Sequence, residues 1–289
     1  MTPRAAGQLL VVLSAAAFGI LGILVKVAYG AGVDKYAALA LRFGIAAAVL
    51  VPLAVARRST ALPPGTLAGL LLAGAGGYVA HSFCYFTALE LESPGLVGLL
   101  LYLYPAIVAL AGRVLFAERL GPGRTAAIAL ALAGTALMAG PVSVDRWTGV
   151  ALALSCAVIY AAYIVATARL VRGVDPLVTA SIIVAGAGAA YGAIALGRGS
   201  PLPASATGWT AVLAMAIVST PVAIVAFFAA VRRIGATAAA VGSTLEPLFT
   251  VALSFAFLDE RLSPAQLAGG AMTVAAVAWL ATRRPASSP

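Results

Sequence analysis

Charge is what this chain has least of. Only 9% of its 289 residues are Asp, Glu, Lys or Arg, against 63% hydrophobic, where a soluble domain carries roughly 25% charged residues. No water-soluble fold hides that much apolar surface, and a mean hydropathy of +1.06 places the chain in a lipid bilayer. Histidine occurs once and cysteine twice, too few for a metal centre of nitrogen and sulfur ligands. Cys84 and Cys156 both fall inside apolar runs, which argues against a structural disulfide. The only lysines, Lys26 and Lys35, are followed by Val27 and Tyr36. No Gly-Lys-Ser/Thr phosphate loop exists, so no ATPase is built in. The Gly-x-Ser-x-Gly elbow is missing too, and no nucleophile adjoins an evident base in sequence. No catalytic residue, cofactor or metal is expected.

The net charge of +9 and pI near 10.1 do not mark a nucleic-acid binder. The cations sit in short turns between apolar runs, without a basic domain or an aromatic-basic patch.

What the chain does have is a repeat. Phe86, Pro105, Glu118, Arg119 and Leu120 recur as Phe228, Pro247, Glu260, Arg261 and Leu262, every pair 142 residues apart. The same offset pairs Gly7 with Gly149, Phe18 with Tyr160, Gly44 with Gly186 and Pro122 with Pro264. Two similar halves follow, residues 1–142 and 143–289.

Ten apolar spans are expected, about Gly7 to Ala28, Tyr36 to Ala56, Gly65 to Leu89, Pro94 to Phe116, Gly123 to Gly140, Trp147 to Leu170, Pro176 to Leu196, Gly208 to Val231, Ala236 to Leu258 and Pro264 to Thr282. The first is not a secretory signal despite Arg4 and the Ala15 to Ala17 stretch, because it stays apolar to Ala28 and matches the sixth span. Of the 18 cations, 12 fall on one set of loops, five on the other, and Arg42 lies inside the second span. By the positive-inside rule both termini are cytoplasmic. Five spans per half is an odd number, so the second half enters the membrane from the opposite side. Inverted repeats of this kind are a plan of secondary transporters, whose halves exchange inward-open and outward-open shapes around a central site.

Small residues mark close packing: Gly69, Ala73 and Gly77 in the third span, Gly188 and Gly192 in the seventh. Trp147, Trp209 and Trp279 fall at or near span ends, where aromatic anchors sit.

Tyr78, His81, Ser82 and Tyr85 share one face of the third span. Polar groups in a membrane span face the bundle interior or a wet path, or else bond to neighbouring helices. Cys156, Tyr160, Tyr163 and Thr167 make the matching face of the sixth span, and Ser14 with Phe18 that of the first. Tyr102 and Tyr104 precede Pro105; their repeat mates Thr244 and Glu246 precede Pro247. Each proline removes an N–H, so the carbonyls of Leu101 and Ser243 are expected to lose their helical donors. Glu246 is the one acidic residue near the centre of a span. It could hold a substrate ammonium group, carry a proton, or bond to Ser243 and a tyrosine. The candidate substrate-binding set is therefore Phe18, Tyr78, His81, Ser82, Tyr85, Tyr102, Tyr104, Tyr160, Tyr163, Ser243, Thr244 and Glu246. Lys26 and Arg42 are expected to snorkel to the interface or pair with Asp34. The Glu118-Arg119 and Glu260-Arg261 pairs are expected to fix helix ends, with a gate-latch role as the alternative.

These features resemble the EamA-type members of the drug/metabolite transporter superfamily. The resemblance covers nearly the whole chain. It rests on Phe18-Gly19 with Lys26, on Leu41-Arg42-Phe43, on Tyr85 to Leu89 leading to Leu99 through Pro105, and on Glu118-Arg119-Leu120, Glu246-Pro247 and Glu260-Arg261-Leu262. Phe18 departs from the tryptophan that family members often carry before the first-helix glycine. The resemblance implies an all-α bundle of ten transmembrane helices, two inverted five-helix repeats around a cavity lined by helices one, three, four, six, eight and nine. It also implies export of amino acids or other small metabolites, and the tyrosine-rich faces extend that to aromatic ones. The partners expected are a small-molecule substrate and the bilayer of the cytoplasmic membrane, with no nucleic acid. Broad drug efflux is the alternative. A lipid-acting enzyme would need its polar groups near an interface rather than at mid-membrane, and a sensor or scaffold is expected to append a soluble domain, whereas five residues follow Arg284.

Overall fold

The computed structural model describes residues 2–57, 62–116, 121–140, 143–171, 173–258 and 263–282. The Glu118-Arg119 and Glu260-Arg261 pairs lie outside the described residues, as do Arg58, Arg172, Arg283 and Arg284. The described residues form helices and no strands. Among the described residues nine helices are long and apolar enough to cross a membrane: α1 (Pro3–Gly30), α2 (Lys35–Ala56), α3 (Thr66–Leu91), α4 (Pro94–Leu115), α5 (Pro122–Ala139), α6 (Trp147–Leu170), α7 (Pro176–Arg198), α8 (Ala206–Ile234) and α9 (Ala236–Leu253). A shorter apolar helix, α10 (Pro264–Leu280), follows.

The helix starts are written in the local sequence. Asp34 accepts from the N–H groups of Tyr36 and Ala37 at the head of α2, and Asp175 does so from Leu177 at the head of α7. Ser93 and Ser205 cap α4 and α8 in the same way. Pro94, Pro122, Pro176 and Pro264 open their helices, where a missing N–H costs nothing. Glu92 is buried at the end of α3, and its carboxylate accepts from the N–H groups of Arg146 (2.6 Å) and Asp145 (3.1 Å) just ahead of α6. One side chain thus ties the two halves together.

Packing between the halves is reciprocal. Helix α2 lies along α7 and α5 along α10; α1 packs on α8 as α3 packs on α6; α4 meets α6 as α1 meets α9. In each case the contact of helix m in one half with helix n in the other is matched by n with m, the signature of a two-fold relation. Backbones approach most closely at glycines. A Cβ on Gly74 would collide with the Ile183 carbonyl of α7, and one on Gly269 with the Gly134 backbone of α5. Of the glycine rows expected to pack, Gly69 and Gly77 face Leu170 and Tyr163, and Gly188 faces Phe43, but Gly192 meets nothing within 4 Å.

The helices are interrupted at mid-membrane; the interruptions of α3 and α8 and those of α4 and α9 pair by the 142-residue offset, while that of α1 has no counterpart in α6. Helix α3 widens into a π-helical stretch over Ala73–Tyr78, and α8 does so over Met215–Ser219. Helix α4 breaks at Tyr102 and Leu103, and α9 tightens into a 3₁₀ turn over Ser243–Leu245. There the Ser243 carbonyl does not stay free as its proline suggested: the Glu246 N–H turns back to it. Helix α1 breaks at Ile20, and Thr250 Oγ1 of α9 donates to the Gly19 carbonyl at 2.6 Å.

Candidate functional site

The interruptions of α1, α3 and α4 border a cavity of about 590 Å³. Its wall runs from mid-bundle residues such as Tyr104 and Tyr160 to Pro94, Ala139 and Gln266. It therefore opens where α3 meets α4, α5 ends and α10 begins. Both halves contribute to the wall.

One side of the wall is aromatic. The His81 ring stacks on Tyr160 with centroids 4.3 Å apart, and Tyr104 meets Tyr160 edge-on at 4.7 Å. Tyr85 lies along His81 at 6.5 Å, one turn away on α3. His81 Nδ1 is 3.1 Å from Cys156 Sγ, and Ser82 Oγ donates to the Tyr78 carbonyl. The π-helical stretch ends at Tyr78, so regular α-helix follows and brings Tyr78, His81, Ser82 and Tyr85 onto one face. Such rings present flat apolar surface with a polar tip, and their faces attract cations.

The other feature is charge. Tyr102 Oη donates to Glu246 Oε2 at 3.0 Å across the two halves. Arg42 is 2% exposed and lines the cavity; its Nε donates to Thr220 Oγ1 of α8 at 2.7 Å. Its guanidinium lies 4.8 Å from the Phe43 ring centroid and 5.7 Å from that of Phe86. Lys26 stands at the mouth, where its Nζ donates to the Leu89 carbonyl (2.6 Å) and the Glu92 carbonyl (3.3 Å).

Of the twelve residues singled out from sequence, nine line the cavity: Phe18, Tyr78, His81, Ser82, Tyr85, Tyr102, Tyr104, Tyr160 and Glu246. Tyr163, Ser243 and Thr244 lie behind the wall. Tyr163 is buried between Tyr78, Tyr160 and Phe228; Ser243 is fully buried, and the Thr244 hydroxyl is turned onto the Val241 carbonyl. Arg42 and Lys26 correct the snorkelling picture: both bond to neighbouring helices, and neither pairs with Asp34, whose carboxylate caps α2. Sequence held one signal for Arg42, its position six residues inside the apolar span that starts at Tyr36.

The lining also departs from the resemblance. Among the described residues α8 contributes nothing to the wall, while α2, α5 and α10 do. The reason lies in the repeat mates. Thr220, Ala223, Ile224 and Phe227 stand in α8 where α3 has Tyr78, His81, Ser82 and Tyr85. None of the four carries a phenol or an imidazole, and α8 packs on α1, where Ser14 Oγ donates to the Ala223 carbonyl at 2.9 Å.

A second cavity, of about 630 Å³, lies at the opposite end of the bundle. Its walls are Val, Leu, Ile and Phe from α1, α8, α9 and α10, with Arg4, Arg124 and Arg233 among them.

Comparison with known proteins bears on what these cavities belong to. A solved crystal structure superposes with a TM-score of 0.79, covering 96% of each chain at 24% identity, which establishes the fold alone. The aromatic amino acid exporter YddG of Ancylobacter novellus is 30% identical over 105 residues, 34% of this chain and 37% of that protein. The match thus spans well under half of the relative's length. The model of the EamA-like transporter family fits twice, over residues 5–140 and 147–282. Two copies of that unit, packed reciprocally around a cavity between them, account for nearly the whole chain, which belongs to the EamA-like transporter family within the drug/metabolite transporter superfamily.

Proposed function

We propose that the protein is a secondary carrier of the cytoplasmic membrane, not an enzyme, exporting small amphipathic metabolites by alternating access, with amino acids, aromatic ones included, as its substrates. The observation that carries this reading is the cavity of about 590 Å³ between two repeats, lined by aromatic rings and by Glu246. Its size suits a single amino acid, its rings suit an apolar side chain, and Glu246 suits an ammonium group. The name of the partial relative, an aromatic amino acid exporter, points the same way.

Both termini are placed in the cytoplasm by the excess of Lys and Arg on their side. The first cavity then opens outward, and the second lies on the cytoplasmic side. By the 142-residue offset, Val277, Leu280 and Arg124 of the second cavity correspond to Thr135, Met138 and Gln266 of the first. An inward-open state would enlarge the second as the first closes. Counterflow of labelled phenylalanine in sealed vesicles tests the reading: exchange that disappears in Glu246→Gln is expected. Unchanged exchange in that variant removes Glu246 from the site, and exchange of cationic dyes but of no amino acid would make the protein a drug exporter.

A further inference from the structure

We propose that Arg42 is the anion-recognising residue of the cavity, set opposite Glu246, so that the site selects solutes carrying both a carboxylate and an ammonium group. This assignment rests on the transporter reading for its biological sense but not for its chemistry.

The argument begins with an unbalanced cation. Arg42 is buried deep inside α2, and no carboxylate among the described residues lies within ion-pair distance of it. A lone charge taken out of water is costly and is retained where something compensates it. What surrounds the guanidinium holds it without neutralising it. Thr220 takes Nε, and the rings of Phe43 and Phe86 lie within cation–π reach. The Thr220 hydroxyl is itself committed to the Met215 carbonyl at 2.8 Å, inside the π-helical turn of α8. With Nε on Thr220 and Tyr78 also bonding the guanidinium, arginine's five N–H donors still leave some for a carboxylate, which a guanidinium matches as a fork.

The repeat supplies an independent observation. The mate of Arg42 is Val184, fully buried in α7, and the mate of Glu246 is Tyr104. An apolar side chain therefore fills the equivalent place in the other half, so helix packing does not call for arginine there. Each charge appears in one half only. The two-fold frame thus encloses a polarity that is not two-fold: a cation from the first half and an anion from the second. Neither has an oppositely charged partner among the described residues, and both line one cavity. Tyr78 and Tyr85 each lie within electrostatic range of both Arg42 and Glu246. A dipolar solute bridging the pair would neutralise both at once. An amine or an acid would leave one of them uncompensated.

The test compares three probes on the full chain in detergent by ligand-dependent thermal stabilisation: phenylalanine, 2-phenylethylamine, which lacks the carboxylate, and 3-phenylpropanoate, which lacks the ammonium group. The wild type is expected to bind phenylalanine at least about tenfold more tightly than either analogue, since a site built around a charged group rejects ligands missing it. Arg42→Gln is expected to abolish the preference over the amine, and Glu246→Gln the preference over the acid. Arg42→Lys keeps the charge without the fork, so it is expected to fold and to retain part of the preference.

The proposal is overturned if the wild type binds the amine as tightly as the amino acid, if Arg42→Gln weakens all three probes equally, or if Lys26→Gln rather than Arg42→Gln erases the preference. The wild-type comparison stands even where Arg42→Gln does not fold. Vesicle counterflow separates the two readings. Binding selectivity without movement of any solute would dismiss transport and leave the dipolar site intact; movement without selectivity would do the reverse.

Discussion

Tyr102 shows how much a single hydroxyl can decide at mid-membrane. It is the neutral donor that the structure gives to Glu246, and hydrogen bonds to charged groups contribute about 1.5–3 kcal/mol. Tyr102→Phe removes that donor while keeping the ring. Transport of phenylalanine in vesicles is expected to fall by roughly tenfold with the fold retained, and an unchanged rate would mean that the phenol does not set the carboxylate. Glu92 is a different case, because its two bonds to backbone N–H groups ahead of α6 are structural. Glu92→Ala is expected to cost about 1–2 kcal/mol of stability, as loss of a helix cap does, read as a lower denaturation midpoint without a change in substrate preference. Many of the wall residues were legible in the sequence, since tyrosines and a carboxylate in apolar spans have few places to go. Arg42 was not. A cation within reach of a span end can snorkel outward or turn inward. Here Thr220, far away in sequence, supplies the inward partner.

At the scale of helices, closeness is set by glycine and shape by interruption. Gly74 sits in the π-helical stretch of α3 against the α7 backbone, where any Cβ meets the Ile183 carbonyl. Backbone has no rotamer with which to give way, and overpacking costs about 1–3 kcal/mol even where side chains can move. Gly74→Val is therefore expected to lower the thermal midpoint substantially. Gly192→Ala, in open space on α7, is expected to stay within about 0.5 kcal/mol of wild type. Equal effects at the two positions would refute the close α3–α7 approach. The row Gly69, Ala73, Gly77 was readable as a packing face, yet Gly74, one position off that row, makes the tightest contact. The π-helical turns explain the difference: they change the residues per turn and shift the register of faces. No residue type announces them. The breaks ahead of Pro105 and Pro247, by contrast, were written in the prolines.

For the whole molecule, the 142-residue offset carried the architecture, because a duplicated unit leaves its spacing in loops and helices alike. Offset alone is silent on which helices of the two halves touch. That depends on which side chains the faces carry: among the described residues α8 is absent from the cavity wall, and Thr220, Ala223, Ile224 and Phe227 stand there in place of Tyr78, His81, Ser82 and Tyr85. The offset does make one global demand. Positions 142 residues apart must emerge on opposite sides of the membrane, since each half crosses it five times. Pro64, between α2 and α3, and Ala206, at the head of α8, are such a pair, and both are exposed. The native thiols Cys84 and Cys156 are buried, so they leave a cysteine scan at those two sites readable. With the positive-inside orientation, Ala206→Cys is expected to react with a membrane-impermeant maleimide in intact cells, and Pro64→Cys only after the membrane is opened. Reversal of the two would invert the protein in the membrane and turn the first cavity toward the cytoplasm. Labelling of both from the same side would contradict the inverted repeat itself, and with it any mechanism that works by exchanging the shapes of the two halves.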